Sequence, residues 1–107
     1  MTYYTLIRIG SAVQHTLKAW PEPFSAVWRG HKSHEVRRFD RDYNVGDLLV
    51  LREFDPATSQ YSGREIHAEV THITLPGNFG LPSDVGVMSI EKVRQFTRPS
   101  PNGRAAP

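Results

Sequence analysis

The sequence has no cysteine among its 107 residues, which excludes a disulfide scaffold, a thiol nucleophile and any zinc site built on thiolates. Its apolar runs are short, Leu48-Leu49-Val50-Leu51 being typical, far below the roughly 20 residues a membrane-spanning helix needs. The opening MTYYTLIRIGSAVQH lacks a basic segment followed by an apolar one, so it does not read as a secretory signal and the cytoplasm is the expected compartment. There is no internal repeat and no single-sign charge block. With 13 Lys+Arg against 11 Asp+Glu the net charge is only +2, which permits a nucleic-acid partner without arguing for one. A G-x-S-x-G nucleophile elbow and a phosphate-cradling glycine loop are both missing. The pairs His31/His34 and His67/His72 come near metal-ligand spacing, but no acidic residue is placed to complete either, and no metal or cofactor is expected.

What remains is a chain of single-domain length whose Gly and Pro residues separate short β-rich runs. Pro21-Glu-Pro-Phe-Ser-Ala-Val-Trp-Arg-Gly30 reads as a two-turn helix. Proline opens it, Glu22 suits the positive end of the dipole, Phe24, Val27 and Trp28 share a face, and Gly30 stops it. Strands are expected around His15–Trp20 and over His34–Phe39, Leu48–Phe54, Glu65–Ile73 and Gly86–Val93. Asn44–Asp47 and Ser62-Gly63 read as turns, Asp55–Ser59 and Leu75–Asp84 as loops. The expected fold is α+β, a small half-open β-barrel of about five strands with one or two short helices. Residues 1–14 read as an extension or extra strand, 15–96 as the domain, and the proline-rich 97–107 as a disordered tail.

The chemistry concentrates in Gly30-His-Lys-Ser-His-Glu-Val-Arg37. Glu35 and Arg37 share one face of a strand, about 6.6 Å apart at Cα, while Val36 points the other way, into packing. Lys32, in the turn before, converges on the same carboxylate. Two cations around one carboxylate leave spare donors for an anionic or carbonyl ligand.

Gly30, Lys32, Glu35 and Arg37 stand as G-x-K-x-x-E-x-R, which resembles the signature of the ASCH domains of the PUA-like superfamily. His15-Thr-Leu-Lys18, Trp20-Pro21, Phe24, Asp40-Arg-Asp42, Val45-Gly-Asp47, Leu51-Arg-Glu53, Tyr61-Ser-Gly-Arg64 and Val87-Met-Ser-Ile90 are similar to a small bacterial and phage branch of it. The likeness covers roughly residues 15–92. It implies a PUA-like barrel with a cleft at the motif and RNA or a nucleotide-like ligand as partner. Some small ASCH proteins release acyl groups from N4-acetylcytidine, and others are linked to RNA binding or RNA cleavage. The hydrolase subgroup uses the motif lysine, a threonine and a distant glutamate. This chain keeps Lys32, carries Glu35 where that subgroup has threonine, and offers Ser33 as the nearest hydroxyl and Glu53, Glu65 or Glu69 as the distant carboxylate.

The leading expectation is therefore an RNA- or nucleotide-binding domain whose ligand meets Lys18, Trp20, Lys32, Glu35, Arg37, Arg41 and Arg52. Trp20 would stack on a base, Lys32 and Arg41 would meet phosphate, and Asp40 would orient Arg37. The rival is a small hydrolase, an amidohydrolase or ribonuclease, in which Lys32 activates water or Ser33 and Glu35 shuttles the proton. A third reading is a protein-interaction module. Each residue has a plainer role beside these: a surface ion-pair cluster for Lys32, Glu35 and Arg37, a core or lid aromatic for Trp20, a solvated loop for Arg41.

Overall fold

The computed structural model describes residues 12–99. In chain order these form strand β1 (Gln14–Ala19), helix α1 (Pro21–Trp28) and strands β2 (His34–Arg38), β3 (Leu48–Asp55), β4 (Gln60–Thr74) and β5 (Val85–Thr97). One mostly antiparallel sheet runs in the order β1-β3-β4-β5-β2, and β1 lies parallel to β3. Laid flat, such a sheet would hold its edge strands about 19 Å apart. Yet Arg37 on β2 donates from Nη2 to the carbonyl of Lys18 on β1 at 2.8 Å. The sheet is rolled into a half-barrel, and side chains bridge its seam.

Alternation sends Leu17, Ala19, Leu49, Leu51, Ile66, Ala68, Val70, Met88 and Ile90 to the inner face, where all are buried. A helix of two turns is not stable alone; α1 is held by Phe24 and Val27 packed into that face, with Trp28 beside them. The helix closes as the sequence predicts. His31 N–H reaches Ala26 O at 2.8 Å, Gly30 N–H reaches Val27 O at 3.0 Å, and Gly30 takes φ 82°, the paired bonds of a Schellman ending. Lys92 of β5 donates to the last helix carbonyls, those of Val27 and Trp28.

The loop into β3 is organised by Asp47. Its carboxylate accepts from Val13 N–H at 3.0 Å, from Asn44 N–H at 2.9 Å and from His15 Nε2 at 2.8 Å. Burial pushes this carboxyl up, but those three hydrogen bonds outweigh it and hold it below the ordinary aspartate range. Tyr43 lies on His15 at 4.6 Å between ring centroids, and Phe39 lies on Tyr43 at 5.0 Å.

Three expectations change. Ser62-Gly63 is not a turn: the chain reverses over residues 56–59 and β4 already begins at Gln60. Gly63, at φ 94°, instead absorbs the extra residues where the β3–β4 register slips between Arg52 and Phe54. Val36 does not enter packing but is 51% exposed, because the rolled sheet turns that face of its edge strand to solvent. β5 continues past Val93 to Thr97, and Arg98 N–H then bonds Gly63 O at 2.8 Å. Of the segments read as extension and tail, residues 1–11 and 100–107 lie outside the described residues.

Candidate functional site

The motif is built where the helix end meets an edge strand. Lys32 is fixed through its own N–H, which bonds the helix carbonyl of Ala26 at 3.1 Å. β2 then pairs with β5, setting Glu35 opposite Met88 and Arg37 opposite Gly86. Glu35 is 4% exposed and accepts from Lys32 Nζ at 3.1 Å and Arg37 Nε at 2.9 Å. Arg37 continues across the seam to Lys18 O. The Lys32 and Arg37 side chains stay partly exposed, at 19% and 23%. Lys32 uses one of its three donors and Arg37 two of its five on partners among the described residues. The expected convergence of Lys32, Glu35 and Arg37 is therefore present, with unused N–H groups around a buried carboxylate.

Tyr43, buried in the core, lies within electrostatic reach of Glu35 and Arg37. Burial pushes its phenol above the ordinary value, with Asp40 and Glu35 adding to that rise and Arg41 and Arg37 opposing it. The hydroxyl therefore remains protonated through the neutral range, a neutral group in the field of Arg37 and Glu35.

The other sequence candidates lie elsewhere. The Lys18 side chain points to the outer face of the sheet, with Nζ 4.3 Å from the Phe54 ring centroid. Trp20, half-exposed as the helix N-cap, sits 6.0 Å from the same ring and so is no core aromatic. Arg52 is on that face too, 4.0 Å from the Tyr61 centroid and 3.9 Å from Glu65. Arg41 stands in the exposed loop next to Asp40 and 5.9 Å from Tyr43. Asp40 thus pairs with Arg41 and does not orient Arg37; Glu35 and Lys18 O do. Ser33 is exposed at the strand entrance, where its carbonyl pairs with Ile90 N–H.

Glu53 and Glu65, two of the candidates for the distant carboxylate, each centre an ion-pair group whose partners the sequence did not indicate. Arg64 donates from Nε and Nη2 to Glu53 at 2.9 Å, reaches Ser25 Oγ, and lies against Phe24 and Trp28. The Arg64 hydrogen bonds hold the Glu53 carboxyl below its ordinary range, with burial opposing and Ser62 assisting. This pair ties β3 and β4 to the helix. Glu65, 2% exposed, accepts from Arg98 Nε at 2.6 Å and His67 Nε2 at 2.7 Å. Burial pushes its carboxyl up, but these two bonds prevail and lower it. An arginine only donates, so His67 Nδ1 accepts from Arg94 Nε at 3.3 Å, and the proton faces Glu65 from Nε2. The signal for this cluster was the period-two spacing of Arg94, Phe96 and Arg98, which a strand puts on one face. Among the described residues no group of three or more His, Asp or Glu is arranged to hold a metal.

A family model described as a domain of unknown function, DUF3850, matches residues 14–90. The chain belongs to the DUF3850 family. The matched span runs from β1 through the first part of β5 and includes the whole G-x-K-x-x-E-x-R motif. A protein of Escherichia phage P2, described as an uncharacterized 12.9 kDa protein in the GpA 3' region, is 35% identical over 60 residues, which is 56% of this DUF3850 chain. The matched stretch is 53% of that relative, so the chain spans about half the length of the curated relative it matches. Arg94, Phe96 and Arg98 fall beyond the family match.

Proposed function

We propose that this DUF3850 domain is an ASCH-type, PUA-like half-barrel that binds RNA or a nucleotide-like ligand at the seam between β1 and β2. The observation that carries the reading is the Lys32–Glu35–Arg37 assembly. A carboxylate with 4% exposure fixes two cations whose side chains stay 19% and 23% exposed and whose remaining donors are unspent on described partners. Preorganised charged donors of this kind suit a phosphate or a base carbonyl, because the side chains lose little further freedom on binding. Two cations to one carboxylate leave the site positive.

The test is a titration with nucleoside monophosphates and short RNAs, run with wild type and Lys32→Ala. Mononucleotide binding that weakens at least tenfold in the variant supports the reading; equal mononucleotide affinity overturns it. The same samples are followed by mass spectrometry with acylated nucleosides. Product formed by wild type and absent with Lys32→Ala would replace binding by hydrolysis.

A further inference from the structure

The outer face of the sheet carries a second cationic surface that the motif does not use. The strand register lines up Lys18 with Arg52, Arg52 with Glu65 and Glu65 with Phe96 across β1, β3, β4 and β5. His67 pairs with Arg94 in the adjoining row. The strip is about 14 Å wide, three strand spacings. Its cations lie on aromatic rings: Lys18 on Phe54 at 4.3 Å, Arg52 on Tyr61 at 4.0 Å and Arg94 on Phe96 at 4.8 Å. Trp20 and Tyr61 flank Phe54 at 6.0 and 4.9 Å and are both exposed.

Four cations here face one carboxylate, and that carboxylate, Glu65, is sunk beneath them. Glu65 holds Arg98 and Arg52 in place from below, while their side chains stay 58% and 36% exposed. Farther along the same strands Glu69 stands opposite Glu91, which confines the positive potential to one end of the face. An arginine plane on an aromatic ring is itself a stacking surface for a base, and exposed aromatics on a sheet are how single strands are held without sequence preference.

We propose that this strip binds a single-stranded nucleic acid, with phosphates on Lys18, Arg52, Arg94 and Arg98 and bases stacked at Tyr61 and Trp20. A duplex would hide its base faces from these rings, and an acidic peptide would leave the rings unused. The proposal rests on the nucleotide reading of the motif only for choosing nucleic acid over an acidic peptide; its residues are separate.

The experiment titrates single-stranded RNA and DNA of about ten nucleotides, a duplex of equal length and a mononucleotide. The proteins are wild type, Tyr61→Ala, Tyr61→Phe, Arg94→Ala and Lys32→Ala, with thermal midpoints confirming folding. Tyr61→Ala should weaken single-strand binding about tenfold, and Tyr61→Phe should restore it. Arg94→Ala should make the dependence of log affinity on log salt shallower by about 0.7. Neither should alter mononucleotide binding. The RNA and DNA arms identify which strand is preferred. Single-strand binding unchanged in Tyr61→Ala and Arg94→Ala, absent in wild type, matched by the duplex, or competed equally by polyglutamate overturns the strip. Mononucleotide binding indifferent to Lys32→Ala, with the strip's effects intact, overturns the motif reading instead.

Discussion

Two buried carboxylates at opposite ends of β2 and its following loop look alike and are held differently. Asp47 is 1% exposed and Glu35 4%, and each accepts from more than one donor. Asp47 takes its hydrogen bonds from two backbone N–H groups and a buried histidine, donors fixed by the fold with nothing left to offer a ligand. Glu35 takes its bonds from Lys32 and Arg37, long and partly exposed side chains with N–H groups unused among the described residues. Burial alone therefore does not separate a structural carboxylate from one in a candidate site. What its donors have left over does.

The sharpest way to break this comparison is Asp47→Ala. Removing it leaves His15 and two backbone N–H groups without their partner in the interior, which costs about 3–5 kcal/mol. The same group dictates an acid profile. Its folded-state pKa is depressed, so its stabilisation is complete above the unfolded value near 3.9 and is lost as pH falls through the folded value. Glu53 and Glu65 are depressed in the same direction and add to the loss. Urea melts from pH 7 down to pH 2 should show a plateau and then a decline below about pH 4, shallower in Asp47→Ala. A variant with wild-type stability, or an unchanged profile, would remove Asp47 from its structural role.

Gly86 links the two carboxylates. A Cβ there would lie 2.6 Å from Phe39 Cε1 and 3.0 Å from the Thr74 carbonyl, and Phe39 supports Tyr43, which rests on His15. Gly86→Ala must displace that ring, at a cost of about 1–3 kcal/mol. Because Gly86 also sits opposite Arg37, nucleotide binding should weaken along with stability. Thermal melts paired with titrations check both, and a stability loss without a binding loss would show that the aromatic stack and the motif are independent.

Glu35→Gln reverses the balance. The amide keeps an acceptor for Lys32 or Arg37 and removes the charge that gathers them, so stability should fall by only about 1 kcal/mol. Nucleotide affinity, which depends on how the two cations are held, should change by about tenfold in that reading. A stability loss as large as that of Asp47→Ala would put Glu35 in the structural class after all.

Much of this was legible in the sequence because it is local. The helix ends at Gly30 for a backbone reason visible in one residue, and Lys32, Glu35 and Arg37 converge because turn and strand spacing make them. The seam was not legible: that Arg37 reaches Lys18 O depends on β1 pairing parallel with β3 and on the roll of the whole sheet. Arg41 and Asp40 are close in sequence to Arg37, but the chain leaves the strand at Phe39 and carries them to solvent. The outer-face cluster fails for another cause. Arg94, Phe96 and Arg98 alternate as a strand should, but Pro99 and the Ser-Pro segment after it make that stretch resemble a tail.

Val36 gives the smallest expected effect and the cleanest control. Alternation in an edge strand fixes that its side chain opposes Glu35 and Arg37, but not which side of the strand the sheet will cover. An apolar residue flanked by charges invites the wrong choice, since the charged face is normally the solvated one. In this half-barrel the seam takes Glu35 inward and leaves the valine outside. Val36→Thr keeps the β-branched shape that suits a strand and places a hydroxyl in water, so stability should stay within about 0.5 kcal/mol of wild type and nucleotide affinity should not move. A thermal melt and one titration decide it. A loss of about 1 kcal/mol or more, the scale of burying an unpaired hydroxyl, would mean that something covers the Val36 face, and that the charged side of β2 is the more open of the two.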